Sequence, residues 1–132
     1  MILNYFIKDL DSIDILINKP SIIFIKGELW AWKTTISKHI INNILGNNYN
    51  IISPTYTYYN KYEDIYHFDL YRLKWYDEFF AIWWEDVLDN NNWIIIIEWP
   101  EVIEKYYSPD IEIILRKTDN ENERKIEINY KN

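Results

Sequence analysis

Residues 21–35 read SIIFIKGELWAWKTT, and this stretch decides the fold. Ser21 to Lys26 is a short isoleucine-rich run stopped by Gly27, the pattern of a buried parallel strand. Thr34 to Leu45 (TTISKHIINNIL) then sets Ile36, Ile40, Ile41 and Ile44 at helical spacing, with Gly46 as the stop. A strand that turns into a helix is the frame of a phosphate loop, whose pattern is G-x-x-x-x-G-K-[ST]. Gly27, Lys33 and Thr34 match that pattern, and Trp32 takes the place of its second glycine. In such a loop the lysine contacts the β- and γ-phosphates and the threonine hydroxyl ligates magnesium. The loop N–H groups and the helix N-terminus add a positive cradle. Glycine lets the backbone approach the phosphate, whereas a bulky residue at positive φ is an outlier. Read literally, Trp32 sits where phosphate oxygens belong. The loop alone therefore also fits an ordinary strand-to-helix turn in a protein that binds nothing there.

Working outward, Thr55 to Tyr62 (TYTYYNKY) alternates and is aromatic, as an extended edge element does. Ile65 to Leu70 (IYHFDL) reads as a strand, and Asp77 to Leu88 as a mixed, helical segment. Trp93 to Glu98 (WIIIIE) is the clearest buried strand in the chain. Ile111 to Leu115 and Lys125 to Ile128 are late strands around the polar turn Thr118 to Glu123, which predicts an antiparallel hairpin. Together these elements predict an α/β fold: a mainly parallel P-loop NTPase-like sheet flanked by helices, closed by a C-terminal hairpin. Ligands of such folds bind at the carboxyl ends of the strands. Gly27, Asp69 and Glu98 all fall at or near such ends.

The chain has 132 residues, which suits one domain over 1–132. A net charge of -7 argues against direct binding to a nucleic-acid backbone, which calls for a basic patch. The absence of cysteine excludes disulfides and cysteine metal sites. His39 and His67 are too few for a structural zinc site. The N-terminal MILNYFIKDLDSIDILINK carries acids where a signal peptide has a long apolar run, and no stretch approaches the ~18 apolar residues of a membrane helix. A cytoplasmic location is the expectation. Two counts stand out: glycine is 2 and tryptophan is 7, whereas ordinary usage gives roughly nine glycines. Isoleucine, asparagine, lysine and tyrosine dominate, as an A/T-rich gene produces.

Four motifs in order resemble the TsaE (YjeE) family. GELWAWKTT (27–35) is similar to the family's G-x-L-G-A-G-K-T-T, and Ser53-Pro54-Thr55-Tyr56-Thr57 to S-P-T-[YF]-[ST]. His67-Phe68-Asp69-Leu70-Tyr71-Arg72-Leu73 is similar to H-x-D-x-Y-R-L, and Ile97-Glu98-Trp99-Pro100 to I-E-W-P. The mismatches share one theme. Trp30, Trp32, Trp83 and Trp93 stand where the family has or favours glycine, and Trp99 alone falls on a family tryptophan. Some bacterial lineages read UGA as glycine while other codes read it as tryptophan, so one decoding rule would repair the loop and much of the glycine deficit. The competing reading is a true pseudo-ATPase with an aromatic-filled loop.

The resemblance implies magnesium-dependent ATP hydrolysis in the threonylcarbamoyl modification of tRNA adenosine, acting through partner proteins resembling TsaD and TsaB. It implies a nucleotide cradle from Gly27, Trp30, Ala31, Trp32, Lys33, Thr34 and Thr35. Thr34, Glu98 and Asp69 are the implied magnesium-shell residues, and Asp69 and Glu98 the implied catalytic carboxylates. Against these stand plainer readings: a solvated lysine, a helix-start threonine, a strand-end charge at Glu98 and an Asp69–Arg72 pair. Thr55 lies in a switch-like segment able to sense the γ-phosphate, or is turn chemistry after Pro54. Arg124 matches a family arginine near the nucleotide, or is an exposed hairpin residue. Trp99 and Pro100 shape the site or a partner surface, and His39 is a helix-face residue. A small-molecule kinase on the same fold is the alternative enzyme. Such kinases need a lid with several arginines, and this chain has Arg72, Arg116 and Arg124 with no evident lid.

Overall fold

The computed structural model describes residues 2–18, 20–27, 30–46, 49–54, 57–81, 93–120 and 123–131. Its centre is a sheet of seven strands: β1 (Ile2–Phe6), β2 (Ser21–Lys26), β3 (Tyr59–Tyr62), β4 (Ile65–Asp69), β5 (Ile94–Glu98), β6 (Ile111–Lys117) and β7 (Arg124–Tyr130). Their spatial order is β1-β7-β6-β2-β5-β4-β3. The four middle strands run parallel, and antiparallel partners close both flanks. The expected mainly parallel centre and C-terminal hairpin are both present. β1 is an addition, because nothing in MILNYF marks a strand by period or by turn residues. It pairs with β7 along the outer edge, Leu3 opposite Ile128.

Strand alternation divides the core into two layers. Ile23, Ile25, Ile94, Ile96, Ile111 and Ile113 pack on one face beneath α1 (Trp30–Leu45), which contributes Ile36, Ile40 and Ile41. Phe24, Ile95, Ile97 and Phe68 pack on the other face with Leu73, Phe79 and Ile103. Each fully buried isoleucine contributes about 1.5–3 kcal/mol relative to exposure. Ile36, Ile40 and Ile41 are buried to 0–1% exposure, so this stripe clamps α1 across β2 and β5. Gly46 ends the helix as expected, with φ +85 and its N–H on the Asn42 carbonyl. The short helix α2 (Tyr76–Ala81) begins the segment read as helical, whose remainder to Leu88 lies outside the described residues.

Two expectations are corrected. Of the run Thr55 to Tyr62 read as extended, the described residues 57–62 form a strand only from Tyr59, because Thr57 turns back onto Pro54 and Tyr58 takes φ 67. The helix begins at Trp30, a full turn before the expected Thr34. Trp32 is therefore helical, and it is absent from the positive-φ residues among those described. The physical reason is propensity: tryptophan tolerates a helix interior, whereas glycine there costs about 1 kcal/mol.

Gly27 is the pivot between β2 and this helix. It has φ +137, and a Cβ there would lie 2.9 Å from both the Leu115 carbonyl oxygen and Cβ. Leu115 belongs to the paired strand β6 and cannot retreat without breaking its ladder. Gly27→Ala is expected to destabilise the fold by about 2–3 kcal/mol. Urea unfolding checks this, and an unchanged midpoint rules out the strained pivot.

Candidate functional site

The carboxyl ends of β2, β4 and β5 lie side by side, with Ile25 and Asp69 each paired to Glu98 in register. Asp69 and Glu98 follow Ile65 and Ile96 by even steps, so both side chains project to the α1 face. They meet the first turns of α1 there: Thr34, Asp69 and Glu98 border one cleft, while Lys33 turns toward Gly27 and Trp99. Glu98 is 1% exposed and Asp69 4%. The Thr34 hydroxyl donates to Glu98 Oε1 at 3.3 Å. Ser37 donates to Glu98 Oε2 at 2.8 Å, and His67 Nε2 bonds the same oxygen. Asp69 Oδ1 accepts the Tyr71 N–H at 3.0 Å, which orients that carboxylate.

Lys33 is wholly buried, turned back so that its ammonium donates to the Gly27 carbonyl. The ammonium also lies 4.0 Å from the centre of the Trp99 ring. A lysine without exposure holds its charge only where such partners replace water. Trp99 sits in a left-handed conformation, φ 57, with its N–H on the Ile25 carbonyl. That strained backbone aims the ring between two clefts. One, of about 580 Å³, is lined by Thr34, Thr35, Lys38, Ser53, Asp69 and Glu98, with Trp99 at its wall. The other, of about 460 Å³, is mainly apolar and runs from Gly27 past Leu70, Tyr71 and Leu73 to Glu101. Desolvation, reinforced by the Glu104 charge, holds the Glu101 carboxyl above the usual carboxylate range.

Other expected residues are placed less centrally. Thr35 lines the polar cleft. Trp30 and Ala31 contribute helical backbone, and their side chains lie outside the description. Trp32 is 36% exposed. Thr55 and Trp83 lie outside the described residues. Arg124 opens β7 opposite Lys117, donates to the Glu123 carbonyl at 2.7 Å, and lines neither cleft. Trp93 packs edge-on to Tyr66, 5.6 Å between centroids, away from the clefts. His39 bonds the Ile13 carbonyl at 2.8 Å, as a helix-face residue does. Ser37 and His67 are the site neighbours that the sequence reading passed over. Ser37 lies one helical turn beyond Lys33, and His67 shares the strand face of Asp69.

The family model described as "Threonylcarbamoyl adenosine biosynthesis protein TsaE" matches residues 7–126. The chain belongs to the TsaE family. It is 38% identical over 120 residues to the tRNA threonylcarbamoyladenosine biosynthesis protein TsaE of Rickettsia prowazekii, spanning 86% of this chain and 81% of that one. To the TsaE of Rickettsia typhi it is 39% identical over 108 residues, spanning 77% and 74%. The crystal structure of Bacillus subtilis YdiB superposes with a TM-score of 0.65 at 23% identity, covering 98% of this chain and 86% of that one. That likeness concerns the fold alone, an α/β arrangement. Among the described residues no helix of this TsaE chain is long and apolar enough to cross a membrane.

Proposed function

We propose that this TsaE chain binds magnesium-ATP at the Lys33–Thr34 turn, hydrolyses it, and thereby serves tRNA threonylcarbamoyladenosine formation through protein partners. The observation that carries this reading is the Thr34–Glu98 contact, which joins the lysine-bearing helix to an acidic strand end beside Asp69. Among the described residues no group of three or more His, Cys, Asp or Glu could hold a metal ion unaided. Magnesium does not need one, since it is usually held by one or two carboxylates together with phosphate oxygens and water. Thr34, Glu98 and Asp69 fit that role. Bound magnesium-ATP supplies the transferable phosphoryl group and the metal charge that neutralises it. For its part, the chain offers the Lys33 ammonium for the β- and γ-phosphates and Glu98 or Asp69 to orient a water.

On the phosphate side the fit requires a change. β2 ends at Lys26 and α1 already starts at Trp30. A phosphate loop needs the chain as far as position 32 to wrap the anion. We therefore also propose that Trp30, Trp32, Trp83 and Trp93 occupy positions where the gene specifies glycine. In-frame UGA codons at these four positions, or the intact mass of native protein, test this. Other tryptophan codons there would favour the second reading, a non-catalytic interaction module. That module is favoured by one observation, the helical first turn with Lys33 folded onto Gly27.

The charge of -7 sets a further expectation for the glycine form. It should not bind tRNA alone, yet should join a TsaD–TsaB pair more tightly with ATP than with ADP. Light-scattering titrations check both. Tight, salt-sensitive tRNA binding by the isolated chain overturns the partner-mediated model, and equal partner binding with either nucleotide removes the switch.

A further inference from the structure

His67 lies on β4 between Ile65 and Asp69, at 0% exposure beneath α1. A polar ring in such a place is costly unless a partner compensates it. The compensation here is one-sided. Nε2 bonds Glu98 Oε2, whereas Nδ1 is buried with no hydrogen-bond partner among the described residues. An ionised carboxylate only accepts, so the network assigns the proton to Nε2 and makes His67 the donor.

The two oxygens of Glu98 are consequently unequal. Oε2 takes two donors, His67 from β4 and Ser37 from α1, and is enclosed. Among the described residues Oε1 takes only the Thr34 hydroxyl, at the longer distance of 3.3 Å, and Glu98 and Thr34 both border the polar cleft. The terminal torsion of a glutamate is soft and roughly two-fold, so the side chain does not fix its own carboxylate plane. Something outside must hold it. We propose that His67, acting with Ser37, is the positioning residue that locks the Glu98 carboxylate with Oε2 anchored and Oε1 turned toward Thr34 and the cleft. The functional part of this inference rests on the role proposed above for Glu98.

The chain as it stands gives the first test. It has only His39 and His67, so long-range proton–nitrogen spectra of the 15N-labelled protein separate the two rings, with His39→Gln as the assignment control. In mildly alkaline buffer His67 is expected to show a protonated Nε2 and a pyridine-like Nδ1. Glu98→Ala should release the ring into a mixture of tautomers. An Nδ1-protonated ring, or ring signals unchanged by Glu98→Ala, overturns the lock. The second test uses the ATP-hydrolysing form. There His67→Leu is expected to lower kcat about tenfold while leaving the nucleotide Kd within about twofold. His67→Gln carries an amide donor at the corresponding place and should recover most of the loss. In a Glu98→Gln background, His67→Leu should add nothing. Equal losses for Leu and Gln, or a loss confined to Kd, overturn the proposal. Should His67→Leu fail to fold, the Gln variant and the spectra still decide. If no form hydrolyses ATP, the functional reading above fails, while the ring signature independently decides the lock.

Discussion

Replacing Trp30 and Trp32 together by glycine is expected to tighten magnesium-ATP binding by about 100-fold or more, ~2.7 kcal/mol. The reason lies in the first turn of α1. With tryptophan at both positions the helix reaches back to residue 30. The carbonyls from Trp30 onward are then committed to the helix, which holds this segment in helical form, and Lys33 is folded onto the Gly27 carbonyl. Glycine disfavours a helix interior by about 1 kcal/mol per residue, so two glycines free this first turn to unwind into a loop. The unwound loop presents several N–H groups to an anion and admits phosphate without a side chain in the way. Isothermal calorimetry of both forms with ATP and magnesium measures the difference. Comparable affinities would sink the steric argument and, with it, the main physical support for reading these tryptophans as glycine.

Much of the sheet is legible in the sequence because parallel strands buried on both faces must be apolar throughout. SIIFIK and WIIIIE leave little alternative, and they became β2 and β5, adjacent and in register. The hairpin of β6 and β7 is legible for another reason, since its polar turn separates two alternating runs. β1 is not, because an edge strand with one neighbour carries no such constraint; Asn4 and Phe6 are both exposed. The start of α1 at Trp30 is not legible, because the phosphate-loop pattern assigns residues 27–32 to a loop whatever occupies them. Local propensity prevailed over motif there. The nearness of Thr34, Asp69 and Glu98 is legible because they lie at strand ends and the early turns of the following helix, where folds of this kind bind ligands. That of His67 and Ser37 is not. Their contribution is a contact between elements, and nothing in one sequence ties residue 37 to residue 98.

That same contact geometry separates the roles of the two residues on which the functional reading depends. In the glycine form, Lys33→Ala is expected to weaken ATP binding by about 10- to 100-fold, because a charge-assisted bond to phosphate is worth about 1.5–3 kcal/mol. The ammonium, held in this structure by the Gly27 carbonyl and the Trp99 ring, would exchange those contacts for phosphate oxygens in the ground state. Glu98→Gln should act elsewhere. Glutamine keeps the shape and an acceptor for His67 and Ser37 but removes the negative charge beside Thr34. Turnover should fall by about 100-fold or more, the usual scale for losing a group that positions or activates the attacking water. The Kd for ATP should stay within about threefold, as for an interaction made chiefly in the transition state. Single-turnover hydrolysis beside equilibrium binding, with partner proteins present, separates the two. Normal hydrolysis by Glu98→Gln would show that this carboxylate is misassigned and would move the role to Asp69, which borders the same cleft and is anchored by the Tyr71 N–H. A Lys33→Ala chain that binds ATP as tightly as its parent would show that the lysine remains on Gly27 with nucleotide bound, and the phosphate-loop reading of residues 27–35 would fall with it.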